Sequence, residues 1–78
     1  MSQQILSPLP GTFYRRPAPD KPPFKSEGDA VAVGEVIGMI EVMKSFFEVH
    51  ADAAGTVVRF VADNEDPVMA GQPLVEVA

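Results

Sequence analysis

Seventy-eight residues without a cysteine exclude a disulfide framework, a thiolate metal site and a thiol nucleophile. The single histidine, His50, speaks against a histidine metal centre or a Ser-His-Asp triad. A net charge of −5 argues against nucleic acid as the main partner, so the expectation is one small, acidic, soluble domain, intracellular and cytoplasmic, with no membrane partner.

The N-terminal MSQQILSPLPG has neither a basic region nor a long apolar run, so it does not read as a secretory signal. Short runs rich in valine, isoleucine, leucine and phenylalanine then recur, broken by glycine, proline and aspartate every eight or so residues. That rhythm predicts an all-β sandwich or barrel, and no window sustains a helical period. Strands are expected near 3–6, 12–15, 29–32, 36–42, 45–51, 55–62, 66–69 and 73–77.

Two blocks repeat. PGTFYRR (10–16) is similar to AGTVVRF (54–60) at an offset of 44, and EGDAVAVGEVI (27–37) is similar to NEDPVMAGQPL (64–74) at an offset of 37. The first half therefore carries seven extra residues, which fall in the Pro-rich stretch 16–24. Half-domains of this kind pack as two sheets about a pseudo-two-fold axis.

The junction of the halves is IEVMKSFFEV, residues 40–49. Two strand-like runs meet at Met43-Lys44, where a tight hairpin normally uses Asn-Gly, Asp-Gly or Gly-Gly because these tolerate positive φ. Alternation places Ile40, Val42, Phe47 and Val49 on apolar faces and turns Glu41 and Glu48 outward. Of the two phenylalanines one is expected to face the core, with Phe46 nearer the surface. Lys44 stands at the tip, with Glu41, Glu48 and Glu35 as its expected acidic neighbours. Catalytic lysines depend on burial or a neighbouring cation to free the amine, and an exposed tip among carboxylates supplies neither. Lys44 suits acylation by another enzyme better than chemistry of its own. Arg15, Arg16 and Lys21 read as solvated charge, and His50 as a structural strand residue.

EVMKS, with SPLPGTFYRRPAPD before it and ADAAGTVVRF after it, resembles the biotinyl domain of biotin carboxyl carrier proteins of the acetyl-CoA carboxylase type. The likeness covers residues 5–77, and the whole chain, 1–78, is taken as one such domain. It implies a flattened sandwich of two four-stranded antiparallel sheets, with residues 16–24 as the protruding thumb that covers part of the biotin. It also implies that Lys44 carries biotin, flanked by Glu41, Val42, Met43 and Ser45. Two of these depart from the family pattern Glu-Ala-Met-Lys-Met: Val42 stands for alanine and Ser45 for the second methionine.

The implied partners are a biotin protein ligase, which joins biotin to Lys44, a biotin carboxylase and a carboxyltransferase. The implied role is that of a non-catalytic carrier moving a carboxyl group to acetyl-CoA, or a related acyl-CoA, in fatty acid biosynthesis. A chain beginning at Met1 fits either an excised domain or a stand-alone carrier. Two other readings stay open: a lipoyl-type carrier on the same fold, and an unmodified interaction module whose motif has drifted beyond ligase recognition.

Overall fold

The computed structural model describes residues 2–78 and contains eight strands among them: β1 (Gln3–Leu6), β2 (Gly11–Tyr14), β3 (Ala30–Val31), β4 (Val36–Val42), β5 (Ser45–His50), β6 (Gly55–Phe60), β7 (Asp66–Val68) and β8 (Pro73–Val77). They match the expected segments, with β3 and β6 two residues shorter than the sequence suggested. One sheet has the order β1-β8-β6-β3 and the other β5-β4-β2-β7, all pairs antiparallel. Replacing β1 by β5, β8 by β4, β6 by β2 and β3 by β7 turns one order into the other, as the repeat requires.

Packing follows the same symmetry. Positions related by the two offsets are buried together: Ile5 with Val49, Val31 with Val68, Ile37 with Leu74, and Ile40 with Val77. Ile37 and Leu74 are each the extra residue of a bulge, one in the β4–β5 ladder and one in the β1–β8 ladder. A bulge re-aims the side chain it carries, and here both are fully enclosed.

Phe13 and Gly38 depart from this equivalence in a compensating way. They match Val57 and Val75, so one half uses a large and an absent side chain where the other uses two valines. A Cβ on Gly38 would lie 2.5 Å from the Phe13 ring, which explains the glycine in the middle of a strand.

The inner faces thus supply the core, and among the described residues no helix is long and apolar enough to cross a membrane. Antiparallel neighbours directly opposite one another share a face, so the outer face of the second sheet presents Tyr14 beside Met39, and Glu41 beside Phe46.

Candidate functional site: the β4–β5 hairpin and its groove

Val42 and Ser45 close the β4–β5 ladder, leaving Met43 and Lys44 as a two-residue loop. Their φ angles are 50° and 68°, the left-handed conformation at both positions. Primed hairpin turns require this geometry, and glycine or asparagine usually supplies it. For residues with a Cβ the cost is about 1–2 kcal/mol each. The sequence accepts that strain and gains a lysine held at a fixed, protruding point.

Lys44 is exposed, and Met43 beside it is 93% exposed. Val42 packs against the core, while Ser45 opposite it is open to solvent. Glu41 does not pair with the lysine. It accepts a hydrogen bond of 3.0 Å from the Tyr14 hydroxyl. That bond, followed by burial and the charges of Glu41 and Glu65, raises the Tyr14 phenol above its ordinary range.

Two expectations about the neighbours are corrected. Glu35 lies beyond the far end of β4, where it accepts bonds from the Ala32 N–H (2.7 Å) and from Lys25 Nζ (3.2 Å). Glu48 sits in the fourth pair from the turn, 3.6 Å from His50 Nε2. The His50 ring also meets the Gly34 carbonyl at 2.9 Å, in keeping with a structural role.

Neither phenylalanine is buried. Phe47 shares a face with Ile40 yet is 46% exposed, because β5 is the sheet edge and its only buried residue is Val49. Phe46 is 55% exposed on the outer face, with its ring centroid 6.1 Å from that of Tyr14 in a tilted arrangement. The alternation was legible in sequence, but the edge position that leaves both rings open was not.

The Pro-rich stretch forms a loop pinned at its base, where the Phe24 N–H donates to the Arg15 carbonyl (2.9 Å). Between this thumb and the sheet runs a groove of about 330 Å³. Its floor is Tyr14, Met39 and Phe46, its overhanging wall is Arg16 to Pro19, and its far wall is Asn64 and Glu65. Asn64 Oδ1 accepts the Arg15 N–H at 2.8 Å and so ties the far wall to the thumb. Of these residues the sequence alone marks Phe46, the thumb and, as solvated charge, Arg16. Tyr14, Met39, Asn64 and Glu65 come from separate segments, and only pairing brings them together.

A group joined to Lys44 would have this groove within reach, since Phe46 is two strand positions away, roughly 7 Å. An exposed lysine beside a mostly apolar groove of small-ligand size suits attachment of a small group to the lysine. The sequence model of the family described as Biotin-requiring enzyme matches residues 3–77. The chain belongs to that family.

Among the relatives, the biotin carboxyl carrier protein of acetyl-CoA carboxylase 1, chloroplastic, of Arabidopsis thaliana is 47% identical over 90% of this chain and 25% of its own length. The corresponding carrier of Chlamydia pneumoniae is 43% identical over 95% of this chain and 44% of its own. That of Nostoc sp. is 39% identical over 95% and 41%. The chain thus spans less than half of each of these relatives. In structure it is similar to the urea carboxylase of Kluyveromyces lactis, with a TM-score of 0.79 and 27% identity, over all of this chain and 6% of that one. That likeness, and the eight strands in two antiparallel sheets, bear out the expected two-sheet architecture.

Proposed function

We propose that residues 1–78 form one biotinyl domain in which Lys44 carries biotin, and that the domain is the carrier of a biotin-dependent carboxylase of the acetyl-CoA type. The observation that carries this reading is the two-residue turn that holds Lys44 at the tip in a backbone conformation lysine rarely adopts. Biotin, in amide linkage to the Lys44 amine, supplies a ring that bears a carboxyl group. The chain itself provides the attachment point, a rigid base and a groove.

Met43 and Lys44 protrude together, so a biotin protein ligase meets an extended apolar side chain next to the amine. Val42 anchors the turn to the core, and Ser45 across from it leaves room where the family pattern has methionine. Glu41 is held by Tyr14, which keeps its carboxylate on the outer face and leaves the lysine unpaired. Of the other two lysines, Lys25 is bound to the Ala30 carbonyl (2.9 Å) and to Glu35, and Lys21 lies in the thumb.

The domain is non-catalytic in this reading. It raises the local concentration of the carried group at a biotin carboxylase and then at a carboxyltransferase, in the cytoplasm and in the service of fatty acid synthesis. The three relatives, each a carrier of acetyl-CoA carboxylase by name, favour it over a lipoyl-type carrier.

The test is intact mass after incubation with ATP, biotin and a biotin protein ligase. The wild type gains one biotinyl group and Lys44→Arg gains none. A folded wild type that stays unmodified with its cognate ligase overturns the proposal and makes the unmodified interaction module the better account.

A further inference from the structure

A bare sheet edge offers unpaired N–H and C=O groups to any strand that comes alongside, and folded proteins blunt their edges against this. Three of the four edges here are blunted: β1 has four residues, β3 has two, and β7 has three with Pro67 in the middle. The edge strand β5 is the exception. It runs for six residues, SFFEVH, without lysine or proline, and the bulge of its ladder puts the extra residue on β4. Residues 45–48 are exposed one after another.

The closing pair Val42–Ser45 decides which backbone groups point outward. A two-residue hairpin turn closes on a hydrogen-bonded pair, and bonded and non-bonded pairs then alternate. Ser45 and Phe47 therefore turn their backbone groups to β4. Phe46 and Glu48 turn theirs to the open edge, where no backbone partner meets them among the described residues.

A second copy of β5, antiparallel across a two-fold axis, supplies matching groups. Two registers align the outward groups over most of the strand, one overlapping residues 46–50 and the other residues 45–49. The first is centred on Glu48 and sets carboxylate directly against carboxylate, which is destabilising. The second is centred on Phe47 and brings the two Phe47 rings together in a non-bonded pair, where side chains come closest. It covers a ring that shares the inner face with Ile40 yet is 46% exposed. It also complements charge. One residue beyond Ser45, Lys44 comes diagonal to the partner's Glu48, a spacing of about 7–8 Å that a long side chain spans. The two-fold axis makes that contact twice.

We propose that the unmodified domain pairs with a second copy of itself edge to edge through β5, with Phe47 on the axis and each Lys44 against the partner's Glu48. The contact is one strand wide, so the dimer is weak and concentration-dependent. Acylation of Lys44 removes its charge and loosens the pair, so that pairing shelters the bare acceptor and frees the modified one. This last consequence alone rests on the biotin-carrier reading.

The test is sedimentation equilibrium of the unmodified domain from micromolar to millimolar concentration. Physiological salt screens the repulsion between two chains of −5 each beyond about 8 Å. The wild type passes from monomer to dimer, and its concentration-dependent amide shifts fall on residues 44–50 and not on β1. Phe47→Lys abolishes the dimer, Glu48→Lys weakens it at least several-fold, and Glu48→Lys combined with Lys44→Glu restores it, all folded by their amide spectra. A wild type that stays monomeric, as an edge reserved for another protein's strand would, overturns the inference. So does a dimer indifferent to Phe47→Lys, or a charge exchange that restores nothing. The domain biotinylated by a biotin protein ligase, verified by intact mass, dimerises several-fold more weakly than the unmodified one, and equal association overturns the coupling. Absence of any mass gain counts against the carrier reading instead, and the unmodified protein still decides the pairing.

Discussion

The two halves of the sandwich agree in their turns down to single hydrogen bonds, and they part company around the groove. Asp29 Oδ2 accepts the Ser26 N–H at 2.8 Å, and 37 residues later Asp66 Oδ2 accepts the Asp63 N–H at 2.9 Å. Glu35 Oε1 caps the Ala32 N–H at 2.7 Å, as Gln72 Oε1 caps Met69 at 3.0 Å. The Gly28 N–H donates to the Val57 carbonyl at 2.9 Å, as the Glu65 N–H donates to that of Phe13 at 2.6 Å. Both donors have positive φ, 91° and 69°.

Beside the Phe13–Gly38 exchange in the core, the differences include Tyr14 for Val58, Glu65 for Gly28, and the thumb, which the second half lacks. These last three line or form the groove. Repeated turn chemistry therefore marks what the fold needs, and symmetry broken at the surface marks the groove.

The sharpest way to break the comparison is in the core. Gly38→Val places a side chain where the Phe13 ring already lies and is expected to cost about 3 kcal/mol. Phe13→Val alone opens a cavity at a cost of about 2–3 kcal/mol. The double variant reproduces the Val57–Val75 arrangement of the other half and regains about 2 kcal/mol of that sum. A double-mutant cycle by urea unfolding reads the coupling, and simple additivity would show that the halves are not interchangeable there.

Smaller effects are expected at the strained backbones. Lys44→Gly relieves the turn and stabilises by about 1 kcal/mol, while removing the acylation site. Glu65→Gly restores the residue of the first half and stabilises by about 0.5–1 kcal/mol, with the added backbone freedom of glycine offsetting part of the gain. Denaturant midpoints at constant m check both. A loss of stability in either would mean that the side chain contributes more than the backbone strain takes away.

The smallest effects concern pH. The Ala32 N–H and then Lys25 hold the Glu35 carboxyl below its ordinary range. Because the folded value is the depressed one, this support is present above the ordinary glutamate pKa and is lost as pH falls through the lowered value. Gln72 at the equivalent turn cannot titrate. Acidification is thus expected to speed amide exchange at Ala32, relative to the intrinsic rate, and not at Met69, and Glu35→Gln should make the two turns alike.

At the other extreme, the raised phenol of Tyr14 contributes stability present below pH 10 and lost as pH rises through its folded value. Glu41→Gln lowers that phenol's titration, read by absorbance.

The strands, the repeat and the thumb were legible because apolar alternation, paired Gly-Thr blocks and clustered proline are local signals. Lys44 was legible because its turn breaks a local rule, and the φ angles of Met43 and Lys44 show that the backbone meets the demand without glycine. What escaped the sequence depends on which strand lies at an edge and which segments meet. Phe46 and Phe47 follow the alternation but lack a covering sheet. Glu35 is near Lys44 in sequence pattern yet at the opposite end of β4, seven residues of roughly 3.3 Å each. The groove joins residues 14, 16–19, 39, 46 and 64–65, and no single window contains that information.

A carrier of this kind requires Lys44 as the acceptor. The most direct measurement is tandem mass spectrometry of proteolytic peptides after reaction with biotin, ATP and a biotin protein ligase. The prediction is a biotinyl group on Lys44 and on neither Lys21 nor Lys25. Modification of the thumb lysine Lys21 in preference to Lys44 would contradict it, because the strained turn would then not be the feature that presents the acceptor.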